Sequence, residues 1–291
     1  MGLTHQNILG IRITTSSREF ILEEIKKWLT QHKETRAANG KYVSDPWIIV
    51  TPNPEQIVLA QQNSSFKEML NQADVTLPDG IGIVMASHLL GRSNGKDNST
   101  SVVARIPGVE FMEDLVRLSA EQRVRIGLIG GSPGLAVNAL ECLRTKHPRL
   151  EGWADEGPEL VLGKSGDIEG PGAEYWTAFA KRIVSTKTQI VFVGLGAPKQ
   201  EHVMSRLSHA LSSVCTVNHT ARKKDDKGIV LMAVGGSFDM ITGRLKRAPL
   251  LVRSIGFEWA WRLLQEPWRW KRQLALVQFV VYLLKDVAQK S

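Results

Sequence analysis

The stretch VRIGLIGGSPGLAVNALECLRTK, residues 124–146, decides the fold class. An apolar run at 124–129 leads into the turn GGSPG at 130–134, and the apolar positions of 135–146 then follow a helical period. A strand, a glycine turn and a helix in this order predict one βα unit of a parallel sheet. Backbone N–H groups of Gly130, Gly131 and Ser132 could face an anion at the start of this helix. The alternative is that the glycines only let strand and helix pack closely.

The same alternation continues along the chain. Further strands are predicted at residues 8–14, 47–51, 75–77, 190–193 and 229–234. The first helix is predicted to begin near Ser16, with Glu19 completing a capping box. Together these elements predict a layered, Rossmann-like α/β domain over residues 1–243, with a largely parallel sheet. Polar stretches at 32–44, 91–101 and 217–227 are predicted to be surface loops.

Glycine turns also follow two of the other predicted strands. They are GLGAP at 194–198, which contains Gly196, and GGS at 235–237. Three such turns at one edge of a sheet favour a nucleotide-type ligand. A dehydrogenase or epimerase is disfavoured, because the first strand-to-helix turn, TTSS at 14–17, lacks the glycines of a dinucleotide fingerprint.

Polar side chains follow these strands and turns at positions suited to chemistry. Asp79, in LPDG at 77–80, could act as a general base at the sheet edge, or it could cap a helix over 81–90. Thr51 and Asn53, in TPNP at 51–54, form a rigid polar turn or cap a helix over 55–62. Arg105 could clamp a phosphate. Gln200 could bind a sugar or phosphate, or it could lie in a solvated first helical turn.

No metal site, cofactor or export signal is indicated. The chain has no Asp-x-Asp motif, its 7 histidines show no paired metal spacing, and its 2 cysteines, Cys142 and Cys215, form no CxxC. The N-terminus lacks the basic and apolar segments of a signal peptide. We therefore expect a cytoplasmic protein that needs no metal or cofactor.

The segment 244–291 differs from the rest of the chain. It carries ten Lys/Arg against three Asp/Glu, and four of the 8 tryptophans lie within 259–270. An apolar run at 274–284 is shorter than the roughly 20 residues of a membrane-spanning helix. This composition predicts a helical appendage that lies on a membrane surface. Alternatively its apolar stripe packs on the domain or on a second copy of the chain. Nucleic-acid binding is disfavoured by the long aliphatic face.

Seven motifs, in this order, resemble those of the WecG/TagA/CpsF glycosyltransferases, also called glycosyltransferase family 26. They are TPNPEQ (51–56), AD with LPDG (73–80), RIPG (105–108), GLGAPKQE (194–201), GGSFD (235–239), RAP (247–249) and EWAWR with EP (258–267). The resemblance covers most of residues 8–272, although the insertions at 32–45 and 217–227 fall outside the motif set. It implies an inverting, metal-independent enzyme of cell-surface polysaccharide or teichoic acid synthesis. Such an enzyme would move an N-acetylmannosamine-type sugar from a UDP donor to the 4-hydroxyl of N-acetylglucosamine on undecaprenyl diphosphate.

The resemblance also implies roles for individual residues. Asp79 would be the general base, Thr51 and Asn53 would line the sugar pocket, and Arg105 and Gln200 would support substrate binding. The UDP diphosphate would be held by arginines of the appendage: Arg247, Arg262, Arg269 and Arg272. The enzyme would be peripheral on the inner face of the cell membrane. A glucosyl or other hexosyl donor, or a non-catalytic nucleotide-binding protein of the membrane surface, remain the alternatives.

Overall fold

The computed structural model describes residues 2–30, 35–36, 42–43, 45–93, 101–163, 166–217, 228–254 and 258–290. Most of the predicted loops at 32–44, 91–101 and 217–227 lies outside the described residues. The strands are β1 (His5–Ile8), β2 (Ile11–Thr14), β3 (Thr35–Arg36), β4 (Tyr42–Val43), β5 (Trp47–Val50), β6 (Val75–Thr76), β7 (Arg125–Ile129), β8 (Gly152–Asp155), β9 (Val161–Leu162), β10 (Ile168–Glu169), β11 (Thr188–Val193) and β12 (Val230–Ala233). The helices are α1 (Arg18–Thr30), α2 (Pro54–Gln62), α3 (Ser64–Gln72), α4 (Ile81–Ser93), α5 (Gly108–Gln122), α6 (Leu135–Lys146), α7 (Ala173–Ser185), α8 (Lys199–Val217), α9 (Ser237–Ile241), α10 (Leu250–Ser254), α11 (Glu258–Gln265) and α12 (Trp270–Lys290).

A six-stranded sheet organises the molecule, in the order β6-β5-β12-β11-β7-β8. Every pairing in it is parallel. The predicted α/β class and the strands predicted at 47–51, 75–77, 124–129, 190–193 and 229–234 are confirmed, with small shifts of their ends. The edge strand β8, sequence GWAD, was not predicted, because it lacks the apolar run by which the other strands are recognised.

The strand predicted at 8–14 is wrong. Residues 5–14 form a hairpin with a two-residue turn, in which Ile8 pairs with Ile11. Its strands, β1 and β2, form a separate antiparallel sheet. Both turn residues, Leu9 at φ 52 and Gly10 at φ 79, take the positive φ that tight hairpin turns require. Gly10 was the signal for this turn, and the surrounding isoleucines made the segment read as one strand.

The start of α1 is also shifted from its prediction. The Ser17 hydroxyl, rather than that of Ser16, accepts a hydrogen bond from the Phe20 backbone N–H at 3.2 Å. Ser16 instead contacts Thr4 through its hydroxyl oxygen. The capping box predicted for Ser16 and Glu19 is therefore replaced by a cap one residue later, because Ser16 is held by the segment before the hairpin.

Helices cover both faces of the parallel sheet, which gives three layers. In β11, Val191 and Val193 point into the core shared with α2, α3, α4, α7, α8 and α12. Ile190 and Phe192 point into the opposite core, shared with α1, α5, α6 and α9. All residues of β11 are buried, as expected for a central parallel strand covered on both faces. The carboxyl ends of the strands, left free of helices, form the edge at which a ligand can bind.

The appendage comprises α10, α11, a short 3-10 helix (Pro267–Arg269) and α12. Helix α12 packs on α2 and α4, with Phe279 and Leu283 buried in the core. Its other side leaves Leu274, Val277, Val280, Val281 and Leu284 exposed. The apolar stripe thus covers the domain with one side only. Within the described residues, no helix reaches the length and apolarity needed to cross a membrane. The domain boundary at 243/244 stays a prediction.

One glycine of the sheet offers a test of this packing. A Cβ on Gly127 would lie 2.6 Å from the Trp153 ring, which is held by a hydrogen bond to Thr188 and by the Arg182 guanidinium 4.5 Å from the ring centroid. We expect Gly127→Ala to lower the free energy of unfolding by about 1–3 kcal/mol in urea denaturation. Gly172→Ala is the control, because a Cβ there meets nothing within 4 Å, and should cost less than about 1 kcal/mol. Equal losses in the two variants would contradict this account of the ring.

Candidate functional site

Three chain segments meet at the carboxyl end of β5 and β6. The Asp79 backbone N–H donates to the Pro52 carbonyl at 3.2 Å, and the Ile106 N–H donates to the Pro78 carbonyl at 2.8 Å. The loop after β5, the loop after β6 and the segment before α5 are therefore fixed to one another. This brings Thr51 and Asp79 together, as predicted for residues that follow parallel strands, and it adds Arg105 from the segment before α5.

The Asp79 carboxyl lies among protein atoms at this junction. Its pKa is raised from 3.8 to about 7, chiefly by burial and also by the nearby negative charge of Glu258. A hydrogen bond from the Gly108 backbone N–H and the positive charges of Arg105 and Arg262 act in the opposite direction. A carboxyl with a pKa near neutrality can both accept and release a proton, which is the property required of a general base.

Thr51 and Asn53 stand on either side of Pro52, whose carbonyl accepts from the Asp79 N–H. Thr51 is buried, and a Cβ added to Gly108 would lie only 3.0 Å from its methyl group, so α5 begins in direct contact with Thr51. The Asn53 side-chain oxygen accepts from the Gln56 backbone N–H at 3.0 Å and caps α2. Asn53 therefore caps a helix, as one of the two sequence-based interpretations held. Its role toward a substrate stays a prediction.

Gln200 has a buried side chain rather than a solvated one. Its Nε2 donates to Glu201 Oε1 and its Oε1 accepts from the Gly235 N–H, both at 2.9 Å. Burial raises the pKa of Glu201 to about 7, and its Oε2 has no hydrogen-bond partner among the described residues. Glu201 was not singled out from the sequence, since an acidic residue in a first helical turn is ordinarily solvated. The pair holds the turn after β12 against the start of α8.

The three glycine turns lie beside one another. A Cβ on Gly130 would overlap Leu195, and one on Gly194 would lie 3.1 Å from the Gly235 carbonyl oxygen, so only glycine permits these approaches. At the start of α6 the Gly134 N–H donates to the Glu156 carboxylate at 3.2 Å, so an acidic side chain of the protein occupies that helix terminus. Ser132 accepts a hydrogen bond from Arg244 at 2.6 Å. The turn containing Gly130, Gly131 and Ser132 is thus within reach of the appendage.

Arginines of both parts of the chain share two carboxylates near Asp79. Glu258, at the start of α11, accepts from Arg105 Nη1 at 2.9 Å. Glu110, in the first turn of α5, accepts from Arg18 at 3.3 Å, from Arg247 at 2.5 Å and from Arg253 at 3.4 Å. The sequence did not reveal Glu110 as a common partner, because its arginines are up to 143 positions away in the chain.

Arg262 is a second appendage arginine that lies at a glycine turn. A Cβ on Gly236 would be 2.6 Å from its Nη2, so the guanidinium rests on the bare backbone of that turn. Its Nε donates to Glu266 at 2.8 Å, which orients it toward the sheet edge. Arg269 ends the 3-10 helix and Arg272 lies in the first turn of α12, and their side chains are outside the described residues. Gly196, with φ +74, belongs to the turn before α8.

Comparison with known proteins agrees with this geometry. The model of the family described as "Glycosyl transferase WecG/TagA/CpsF family" matches residues 6–291. The chain is similar to an N-acetylglucosaminyldiphosphoundecaprenol N-acetyl-beta-D-mannosaminyltransferase of Bacillus spizizenii, with 30% identity over 92% of this chain and 88% of the relative. Proteins of the same name from Bacillus subtilis (27% identity, 84% of this chain, 81% of the relative) and Staphylococcus aureus (26%, 98% and 92%) are also similar. The chain belongs to the WecG/TagA/CpsF family and is a glycosyltransferase.

Proposed function

We propose that the protein transfers an N-acetylmannosamine-type sugar from a UDP donor to N-acetylglucosamine on undecaprenyl diphosphate, with inversion and without a metal ion. The names of the similar proteins support the sugar and the acceptor. The observation that carries the proposal is the Asp79 carboxyl, which has a pKa near neutrality and lies between the loop of Thr51 and two arginines. A reaction that deprotonates a sugar hydroxyl needs such a group.

Asp79 acts as the general base in this proposal. Its ionised carboxylate takes the proton of the 4-hydroxyl as that oxygen forms a bond to the anomeric carbon of the donor. The bond from that carbon to the UDP oxygen breaks at the same time, and UDP leaves with the electron pair. Thr51 and Asn53 line the sugar pocket, while Arg105 and Gln200 support substrate binding. Gln200 does so from its buried position under the turn after β12.

Positive charge replaces a metal ion at the departing diphosphate. Backbone N–H groups of Gly131, Ser132 and Gly196 are proposed to face it from the sheet edge, whereas the N–H of Gly130 donates to the Asp155 carbonyl and only shapes the turn. The arginines proposed to engage it from the appendage are Arg247, Arg262, Arg269 and Arg272. The approach of Arg262 to the bare Gly236 backbone supports this arrangement. Guanidinium groups suit the task because they bind phosphate oxygens in pairs and remain charged.

The appendage is also proposed to place the enzyme on the inner face of the cell membrane, where a lipid-linked acceptor is found. Exposed Trp259, Trp268 and Trp270 support this, together with the exposed aliphatic side of α12. Indole rings favour the membrane interface, and nearby Lys and Arg attract anionic headgroups. The product would enter synthesis of teichoic acid or another cell-surface polysaccharide.

Product analysis tests the activity. Purified protein is incubated with a panel of UDP-sugars and an N-acetylglucosamine diphospholipid, and the product is characterised by mass spectrometry and by NMR of the new linkage. We expect a β-linked N-acetylmannosamine product, formed from the α-linked donor at an unchanged rate in EDTA. A product with retained configuration, or loss of turnover in EDTA that added metal restores, would contradict the mechanism. If only another UDP-hexose supports turnover, the proposed donor sugar is wrong.

Replacing Asp79 tests its role. We expect Asp79→Asn to lower kcat by about 10²- to 10⁴-fold, because the amide cannot take the proton. The pKa of Asp79 is about 7 in the folded state and 3.8 ordinarily, so ionising it costs stability, and the wild-type free energy of unfolding falls as pH rises from about 4 to about 7. A neutral amide at this position should therefore leave the fold intact. The variant escapes this loss, and its unfolding free energy should exceed that of the wild type increasingly over that range. Wild-type turnover by Asp79→Asn would refute the assignment.

The pH profile tests the influence of Glu258. Turnover should rise with pH through an apparent pKa near 7 as Asp79 ionises. Because the negative charge of Glu258 raises the pKa of Asp79, we expect Glu258→Gln to move the midpoint of the kcat/KM profile to lower pH. Glu121→Gln, at the exposed end of α5, removes the same charge and should leave the midpoint in place. An unmoved or raised midpoint in Glu258→Gln would rule out this coupling.

A further inference from the structure

The Arg105 side chain, which lies near Asp79, contacts the backbone of a second arginine from a distant part of the chain, Arg253. Arg105 belongs to the loop before α5 and Arg253 to α10, and Arg105 Nη2 donates to the Arg253 backbone carbonyl at 3.0 Å. Both side chains are 20% exposed, so they are mostly covered while part of each faces solvent. The segment of α10 is thereby fixed next to the end of β6, on the outer side of the base.

The surroundings of this pair carry excess positive charge. A continuous set of ion pairs joins five arginines to three carboxylates: Arg18, Arg105, Arg117, Arg247 and Arg253 with Glu110, Asp114 and Glu258. The network thus has a formal surplus of two positive charges. Arg247 is proposed above for the donor diphosphate, so a surplus of one positive charge is left for a second anion, such as a diphosphate esterified at both ends.

Arg253 also retains unused hydrogen-bonding capacity. Its Nε is buried and has no hydrogen-bond partner within the described residues, and the same holds for Nε of Arg247. Its Nη1 donates to Glu110 over a long distance of 3.4 Å. A guanidinium normally binds phosphate through two parallel N–H donors, so an anionic oxygen that reached the covered Nε would satisfy a donor that has no partner among the described residues.

Exposed aliphatic side chains lie close to both arginines in the sequence. Val103 is 84% exposed and Leu251 is 81% exposed, and each stands two positions before one of the arginines. On α4, which starts directly after Asp79 and Gly80, Ile81, Met85 and Leu89 are also exposed. A nucleoside diphosphate has no hydrocarbon chain to bury against exposed aliphatic side chains. A diphosphate attached to a hydrocarbon chain can bury apolar surface there.

The order of the strands separates this pair from the glycine turns. Those turns follow β7, β11 and β12, whereas Asp79 and Arg105 follow β6 at the end of the sheet. The base must contact the acceptor hydroxyl. In an inverting displacement the departing UDP lies on the opposite side of the anomeric carbon from that hydroxyl. The acceptor therefore approaches from the β6 side, where the pair lies.

We propose that Arg105 and Arg253 bind the diphosphate of the lipid-linked acceptor, with Val103 and Leu251 contacting the first part of its hydrocarbon chain. This rests on the proposed function. Arg105 and Arg253 serve the acceptor diphosphate, and Arg247, which shares Glu258 with Arg105 and Glu110 with Arg253, joins them to the arginines proposed for the donor. Glu110 and Glu258 hold the arginines in position before the lipid arrives.

Vesicle flotation with the full chain tests the site without requiring turnover. The vesicles are phosphatidylcholine containing a polyprenyl diphosphate-linked N-acetylglucosamine, the matching polyprenyl monophosphate, or neither. We expect wild-type protein to prefer the diphospholipid, and Arg253→Gln to lose about tenfold in apparent affinity for it, equivalent to about 1.4 kcal/mol. Arg253→Lys, which keeps the charge without the planar donor pair, should fall between the two.

The control variant is Arg244→Gln, which removes the same charge from the appendage at a residue that contacts Ser132 on the donor side. It should keep the diphospholipid preference. Calorimetry with UDP completes the comparison, and Arg253→Gln should bind UDP within about twofold of the wild type, whereas Arg244→Gln should bind it more weakly. Thermal melting confirms that each variant is folded.

The possible results separate cleanly. If Arg253→Gln weakens UDP binding as much as lipid binding, or leaves both unchanged, the assignment to the acceptor is wrong. It is also wrong if wild-type protein does not distinguish diphospholipid from monophospholipid. If wild-type protein shows the preference and Arg253→Gln loses it, but no UDP-sugar is ever transferred, the lipid site stands and the proposed function fails.

The aliphatic border has its own comparison. Leu251→Ser should weaken binding to diphospholipid vesicles but not to a water-soluble methyl diphosphate analogue of the acceptor. Equal weakening toward both ligands would show that Leu251 supports the arginines rather than the hydrocarbon chain.

Discussion

Removal of the Asp79 carboxyl from water is the constraint on which the rest of the site depends. An isolated carboxylate in such a position is costly, and the protein compensates with one backbone N–H and two arginines rather than with solvent. The N–H comes from the start of α5, one arginine from the loop before it and the other from the appendage. The appendage also supplies Glu258, which acts against the arginines. The protonation of one carboxyl is therefore set jointly by segments nearly two hundred residues apart.

Much of the fold was predictable because parallel strands buried on both faces appear in the sequence as continuous runs of apolar residues. β11 and β12 were found for this reason, and the glycine turns after them identified the carboxyl edge of the sheet. The edge strand β8 left little such record, and the hairpin at Gly10 was hidden because isoleucines lie on both sides of its turn. Local patterns locate elements well, but they do not distinguish one seven-residue strand from two short paired ones.

The proximity of some candidate residues was predictable, and their contacts were less so. Thr51 and Asp79 come together because β5 and β6 lead into loops at a common edge, and Arg105 joins them through the bond from the Ile106 N–H to the Pro78 carbonyl. The burial of Gln200 and Glu201 depends on how closely the turn at Gly235 approaches α8, a distance that no local pattern encodes. The sharing of Glu110 by three arginines likewise depends on tertiary folding, since only the assembled chain brings α1, α5 and the appendage together.

Helix α12 packs against the two helices that begin beside candidate residues of the site. The two helices on which it rests are α2 and α4, and these are the helices preceded by Asn53 and Asp79. Phe279 lies against Gly82 in the first turn of α4, with 3.8 Å between its ring and the position of an added Cβ. A tilt of α12 imposed from outside would pass through this contact to the first turn of α4. That turn begins two residues after Asp79, so in the proposed function the way α12 lies on a membrane would affect the alignment of the proposed base.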